Sequence, residues 1–251
     1  MNTRKSFETI HGDYRFFGSH STEGDALRET LLPILRERTQ KHVRWMDFGC
    51  GSGGFLGELL AALDRPPADI DLALVDVDRG YLEEAREAVA GFTASEVAVA
   101  TAPEELAGAF DLITSKHALY YVKDLRSTVR TLCGMLKPGG LAIFMLGGKT
   151  NHLSGLWETA YAARNLPVPY FRAEDVAREI QATGLTHESL AVPSVVRFPD
   201  ARENRLKFLR FFFAGNTAGM TPESLLPLLD PLAKDGDVVI DSACSVFLVS
   251  R

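Results

Sequence analysis

Apolar positions along the first forty residues fall at helical spacing. Leu27, Leu31, Ile34 and Leu35 share one stripe, and Ser21-Thr22-Glu23-Gly24 ahead of them forms a helix-start signal. Pro33 within that stretch is expected to kink the helix. From residue 43 the pattern changes. Short apolar runs at 43–48, 70–75, 97–100, 110–114 and 141–146 predict strands. Helical spacing lies between them at 55–63, at 79–89 with Leu82, Ala85, Ala88 and Val89 on one side, and at 125–136. Lys137-Pro138-Gly139-Gly140 predicts a turn. Beyond Gly147-Gly148 the regularity weakens. Helices are expected over 151–165, 173–183, 202–213 and 222–232, a strand over 190–198 interrupted by Pro193, and a last strand over 246–249.

Strands alternating with helices predict an α/β fold, a parallel sheet with helices on both faces. The 251-residue chain is long enough for one large domain with a cap. Its 46% hydrophobic and 24% charged content is ordinary for a globular protein. A net charge of −6 offers no basic excess, so no nucleic-acid partner is expected. Cys50, Cys133 and Cys244 are too few and too scattered for a disulfide framework or zinc site, and the histidines show no metal-ligand spacing, so no metal is expected. The first residues lack the apolar core of a signal peptide, and no run approaches the ~18 apolar residues of a membrane span. The expectation is a cytoplasmic monomer with no membrane partner.

The sharpest local signal is Asp47-Phe48-Gly49-Cys50-Gly51-Ser52-Gly53-Gly54, placed between a strand and a helix. There the backbone must turn tightly and approach a ligand, and glycine permits both. Gly49, Gly51 and Gly54 also satisfy G-x-G-x-x-G, so a nicotinamide dinucleotide is a competitor. Against it stand a carboxylate, Asp47, two residues before the first glycine, and the Leu136-Lys137-Pro138-Gly139-Gly140-Leu141 turn. Asp76, at the tip of the next strand, suits the ribose hydroxyls of either cofactor. A plain structural turn and a helix-capping Asp47 are the bland readings, and Asp78 reads better as a helix N-cap than as a ligand contact.

In this order, the Asp-x-Gly-x-Gly-x-Gly loop, the acid-tipped strand, Phe110-Asp111-Leu112-Ile113 and Leu-Lys-Pro-Gly-Gly resemble the class I S-adenosylmethionine (SAM)-dependent methyltransferase family over about residues 43–146. The resemblance implies a Rossmann-like sheet with SAM as cofactor. It assigns Asp47, Gly49, Gly51, Gly53, Asp76, Val77, Thr101, Ala102 and Ser115 to the cofactor. Asp47 would meet the α-ammonium and Asp76 the ribose, with adenine packed near Thr101 and Ala102. It also implies a helical N-terminal cover (1–40), a core (41–146), a substrate-binding cap (147–241) and a final core strand (242–251).

Two further segments, Phe16-Phe17-Gly18-Ser19-His20-Ser21-Thr22-Glu23 and Ala118-Leu119-Tyr120-Tyr121-Val122-Lys123-Asp124, resemble the histamine N-methyltransferases. Carried over, Glu23 becomes the carboxylate that binds an amine or imidazole. Tyr120 and Tyr121 become aromatic walls, and Tyr14 and Phe17 aromatics over the site. The resemblance has glutamine and asparagine where this chain has His117 and Ser242, which puts histamine itself in doubt.

Methyl transfer from a sulfonium needs alignment and exclusion of water more than acid–base power, and aromatic walls suit a cationic donor. Glu23, His117 and Tyr120 are therefore the catalytic candidates, and His117 is a base if the acceptor must lose a proton. The expected reaction is N-methylation of a small amine or imidazole compound. The alternatives are O-methylation of a small metabolite and SAM binding without catalysis. Each residue also has a bland reading: Glu23 as a helix-start carboxylate, Tyr120 and Tyr121 as core, His117 as structural, and Phe208, Phe211, Phe212 and Phe213 as helical core or lid packing.

Overall fold

The computed structural model describes residues 11–214 and 219–251. The expected cover over 1–40 therefore lies outside the described residues for its first ten positions. Contacts divide the chain into two compact units, and each is built from discontinuous segments.

The larger unit, residues 27–146, 171–192 and 245–251, holds a seven-stranded sheet. Its strands are β1 (Val43–Phe48), β2 (Ile70–Val75), β3 (Ala98–Ala100), β4 (Phe110–Lys116), β5 (Leu136–Gly147), β6 (Thr186–Val192) and β10 (Cys244–Ser250). Their spatial order is β3-β2-β1-β4-β5-β10-β6, and the pairs β3–β2, β2–β1, β1–β4 and β4–β5 are parallel. The chain runs outward from β1 to β3, then returns to β4 on the other side of β1. Right-handed crossovers then place α3 (Gly54–Leu63) and α4 (Arg79–Val89) on one face and α5 (Leu125–Gly134) on the other. This is the Rossmann-like methyltransferase fold, and it explains the continuous apolar runs. Strands covered on both faces, such as β2 with Leu72, Ala73, Leu74 and Val75 buried, have no solvated side to alternate with.

The helices follow their caps and stripes. Asp78 accepts from Gly80 N and Tyr81 N at the start of α4, and Asp124 from Ser127 N at the start of α5. Asp78 is thus the N-cap expected of it. Leu82, Ala85 and Val89 form the buried stripe of α4, and Leu125, Val129, Leu132 and Cys133 that of α5. In α2 (Glu23–Arg38), Leu27, Leu31 and Leu35 repeat every fourth residue and are fully buried. Each contributes roughly 1.5–3 kcal/mol, and the helix continues through Pro33. Among the described residues, no helix is long and apolar enough to cross a membrane.

The smaller unit, residues 1–26, 147–170 and 193–244, has an aromatic core. Here lie α1 (His11–Ser19), α6 (His152–Ala162), α8 (Arg202–Phe212), the short α9 (Pro222–Leu225), and a three-stranded antiparallel sheet of β7 (Val195–Pro199), β9 (Asp237–Asp241) and β8 (Ala233–Lys234). Phe208, Phe212 and Trp157 stack in sequence with centroids 5.4 and 4.8 Å apart, and Phe198 lies 5.6 Å from Phe208. The phenylalanine run is therefore core packing. Asp13 of α1 receives both Arg210 Nε (2.8 Å) and Nη2 (2.9 Å) from α8, a bidentate pair that fixes one helix on the other.

Several expectations change. The predicted 190–198 strand is two strands in different sheets, because Pro193 cannot donate to a ladder and the chain leaves β6 there for β7. The 147–241 stretch is not one continuous cap, since α7 (Ala173–Gln181) and β6 belong with the large sheet and α7 packs on α5. Leu27 onward in α2 also belongs to that unit. Lys137-Pro138-Gly139-Gly140 is a kinked start of β5, with a register shift opposite Phe110–Leu112, rather than a turn outside the strand. Lys137 Nζ is held 2.6 Å from Asp111 Oδ2, whose other partner is Arg44 N. Burial would raise the Asp111 carboxyl, but these hydrogen bonds outweigh it and hold the group low.

Candidate functional site

Strand order reverses between β1 and β4, and a crevice for ligands opens beyond the carboxyl ends of such neighbours. The sequence placed its strongest motif at that point. After Phe48 the loop turns through Gly49, Gly51 and Gly53, all at positive φ (73°, 52° and 76°). The reasons differ between them. A Cβ on Gly49 would stand 2.1 Å from Ala118 Cβ, so the loops after β1 and β4 touch only because residue 49 has no side chain. A Cβ on Gly53 would meet the Ala85 backbone at 2.8 Å, so that glycine lets α3 close on α4. Gly51 faces open space. It is the cradle position, where backbone is presented without cover.

Asp76 ties this loop to β2. Its Oδ2 accepts from Gly51 N and its Oδ1 from Asp78 N, both at 3.0 Å. A carboxylate has about four acceptor sites, so each oxygen keeps capacity for a hydroxyl donor. Val77 beside it is a large apolar side chain 55% exposed. At the end of β3, Thr101 spends its hydroxyl (2.7 Å) and its N–H (3.2 Å) on the Glu105 side chain, while the Ala102 carbonyl accepts the Glu105 N–H at 3.1 Å. These two bonds, the hydroxyl's foremost, hold the Glu105 carboxyl below its usual range.

Asp47 lies at the end of β1 in register with Thr114, whose hydroxyl meets Asp47 Oδ1 at 2.7 Å. Burial pushes the Asp47 carboxyl up to about 6. Thr114 opposes the rise, the charge of Asp76 adds to it, and Lys116 offsets it. The Lys116 ammonium stands 4.6 Å over the Phe55 ring in the first turn of α3. Ser115 is buried, and its Oγ has no hydrogen-bond partner among the described residues. Burial, and then the carboxylates of Asp47 and Asp76, push the Cys50 thiol far above its ordinary range, so it is not a nucleophile.

Beyond β4, His117 takes positive φ (56°) without being glycine, and its N–H reaches Met145 O at 2.8 Å. Its ring stacks on Tyr120 (5.6 Å, 12°), which meets Tyr121 edge-on at 5.7 Å. Burial pushes the Tyr121 phenol well above its usual range, so it stays protonated. The larger unit thus gathers Asp47, the glycines, Asp76, Val77, Thr101, Ala102, Ser115, His117, Tyr120 and Tyr121 at the ends of four adjacent strands and on the loops that follow them.

The remaining expected residues lie in the smaller unit. Tyr14, 47% exposed, and Phe17 pack on Phe211 with centroids 5.5 and 4.6 Å away. Glu23 is a buried carboxylate (8% exposed) in the first turn of α2. Ahead of it, His20-Ser21-Thr22 lies along β7. Thr22 N meets Val195 O and Val195 N meets Thr22 Oγ1, both at 3.0 Å, and Arg197 N meets His20 O at 2.9 Å. Ser242, expected among the substrate contacts, follows β9. It is 2% exposed, and its hydroxyl lies 2.9 Å from that of Ser194, an internal pair joining the ends of β7 and β9. Among the described residues, no cluster of His, Cys, Asp and Glu could hold a metal ion.

Sequence reasoning missed Trp45, Thr114, Phe55 and Glu105. Their spacing carries no signal, since each acts on a site residue far along the chain or in an irregular turn. The donor set nevertheless fits the group the sequence pointed to. A backbone cradle at Gly51, a carboxylate at the loop, another at the strand tip, an exposed valine and an unpartnered buried hydroxyl suit an amino acid joined to a nucleoside.

Comparison with known proteins agrees. A family described as "Methyltransferase domain" matches residues 20–190, more than half of the chain. A ubiquinone biosynthesis O-methyltransferase of Acinetobacter baumannii is 28% identical over 149 residues, 56% of this chain and 62% of that protein. Its counterpart in Burkholderia thailandensis is 29% identical over 150 residues, 57% and 64% respectively. The chain thus spans less than two thirds of the length of these curated relatives. Two solved structures share the fold. The N-methyltransferase NodS of Bradyrhizobium japonicum, in complex with S-adenosyl-L-homocysteine, has TM-score 0.52 and 17% identity over 91% of this chain and 87% of that one. A Thermotoga maritima SAM-dependent methyltransferase, described as a possible histamine N-methyltransferase, has TM-score 0.53 and 17% identity over 97% of both chains. With its glycine loop at the strand-order reversal and its residues 20–190 matched, the chain belongs to the methyltransferase domain family, whose cofactor is S-adenosylmethionine.

Proposed function

We propose that the protein transfers a methyl group to nitrogen on a small amine or imidazole compound. The cofactor supplies an activated methyl on a sulfonium. The chain's own residues supply grip and alignment. Asp47 holds the α-ammonium, Asp76 accepts from the ribose hydroxyls, Val77 and Ala102 flank the adenine, and Ser115 offers its hydroxyl to the cofactor. His117 and Tyr120, stacked as a pair, form an aromatic wall suited to a cationic donor. In the smaller unit, Tyr14, Phe17 and Glu23 are the proposed acceptor contacts.

The observation that carries nitrogen over oxygen is the burial of Glu23, at 8% exposure. A carboxylate in the first turn of a helix sits where the helix dipole favours negative charge. Its proposed role is to stabilise the positive charge an amine gains on methylation. The second reading, oxygen on a small metabolite, is favoured by the relatives described as O-methyltransferases. There His117 would take the hydroxyl proton. A screen of amines, imidazoles and phenols with labelled donor separates them. Label on amines or imidazoles alone supports the first reading, and label on phenols alone replaces it with the second.

A further inference from the structure

Thr114 holds a place that strand register assigns to it, directly across from Asp47 where β1 and β4 run side by side. Its hydroxyl stands between two groups that leave it one orientation. Trp45 Nε1 lies 2.8 Å away, and an indole N–H only donates. The threonine oxygen therefore accepts from Trp45, and its single proton goes to Asp47 Oδ1 at 2.7 Å. Thr114 is 2% exposed and Trp45 fully buried, so water does not compete for either bond. A hydroxyl locked as a donor favours a carboxylate that carries charge over one that carries a proton.

The geometry points to Thr114 as a positioning residue that, with Trp45 behind it, keeps Asp47 ionised and aimed for an ammonium-bearing ligand. This rests on the reading of Asp47 as the ammonium partner in the cofactor site. Few charges complicate it. Asp76 from the end of β2 opposes ionisation of Asp47, Lys116 from the end of β4 favours it, and the Cys50 thiol in the loop is held neutral. Burial is the largest of the influences that together leave Asp47 at about 6, and the Thr114 bond is the foremost one opposing it. Losing it moves the carboxyl further up, toward the pH at which the protein must bind.

The test is a carbon-detected NMR titration of Asp47 in the ligand-free protein, paired with calorimetric titration of S-adenosylhomocysteine between pH 5 and 8.5. In Thr114→Val the Asp47 midpoint rises by about one to two pH units, the size expected for one hydrogen bond to a charged group. The acid-side fall in affinity moves up with it. Thr114→Ser, which keeps the donor, retains the wild-type profile. Thr114→Val leaves the buried Trp45 N–H without an acceptor, so Trp45→Phe/Thr114→Val is run beside it and shows the same upward shift. An unmoved Asp47 midpoint in both Val variants overturns the proposal. So does an affinity lowered by one factor at every pH, the mark of a merely structural role. If the midpoint moves but wild-type protein binds no S-adenosylhomocysteine at any pH, the cofactor-site reading has failed, and the role toward an ammonium ligand falls with it.

Discussion

Asp76 Oδ2 accepts the Gly51 N–H at 3.0 Å, so the acid proposed to meet the ribose also holds the open point of the glycine loop. The proposed binding role and the shape of the loop thus rest on one side chain. A residue that only contacted ligand would be replaceable without loosening the loop.

Asp76→Ala therefore loses two things, the charged acceptor and the loop anchor. Affinity for S-adenosylhomocysteine is expected to fall by well over tenfold, since a hydrogen bond to a charged group contributes about 1.5–3 kcal/mol. Asp76→Asn keeps an oxygen for Gly51 N and loses the charge, so its loss is smaller. Calorimetry on both variants checks this. Unchanged affinity in Asp76→Ala would remove the residue from the ribose.

Gly49 and Ala118 form a second joint. Gly49→Ala places a methyl into Ala118 Cβ and holds a non-glycine residue at φ 73°. Overpacking contributes about 1–3 kcal/mol of destabilisation and the left-handed backbone roughly 1–2 kcal/mol more. Adding Ala118→Gly relieves the first part and not the second. Urea unfolding of the four proteins in this cycle should show partial rescue. A double variant as unstable as the sum of the singles would mean the two loops do not touch in solution.

What could be read from the chain follows one physical divide. The glycine loop, the acid after β2 and the caps Asp78 and Asp124 are local devices, decided within a few residues, and the sequence shows them. Thr114 holds Asp47 only because β1 and β4 are neighbours in a certain register, which no local spacing encodes. Ser21-Thr22-Glu23-Gly24 was expected to start a helix. Glu23 does open α2, but the three residues before it pair with β7. That role became visible only once the partner strand was placed. The β8–β9 hairpin was legible and overlooked. Asp235-Gly236, both at positive φ, is the two-residue turn that favours such hairpins. The expected strand over 190–198 erred in the other direction, because an apolar run does not tell which sheet each half will join.

Glu23→Gln tests the acceptor side. It keeps size and hydrogen bonding and removes charge. With an amine acceptor, kcat/KM is expected to fall by about ten- to a hundredfold, the range for a hydrogen bond to a charged group, while S-adenosylhomocysteine affinity stays within twofold (roughly, as no cofactor contact is altered). Equal turnover in the variant would take Glu23 out of the acceptor site and leave the O-methylation reading standing.

Asp47 carries a stability signature opposite to that of most carboxylates. Its carboxyl is raised from 3.8 to about 6, so the folded protein holds this proton more tightly than the unfolded chain does. Below pH 3.8 both states are protonated and the group is neutral in the balance. Between 3.8 and 6 the unfolded chain ionises first, and stability is lost as pH rises through the folded value. Above 6 the full destabilisation persists, because burial opposes a charge that the folded state now carries. Asp47→Asn removes that charge and keeps an oxygen for the Thr114 hydroxyl. In ligand-free protein it should melt higher than wild type at pH 8, by about 2–4 °C for each kcal/mol regained. The difference should shrink as pH falls from 6 toward 4, and S-adenosylhomocysteine binding should weaken throughout the neutral range. Such a variant, more stable and less able to bind, is what a charge kept for function predicts. Melting curves with the same offset at pH 4.5 and pH 8 would show that Asp47 is not ionised at the expense of the fold.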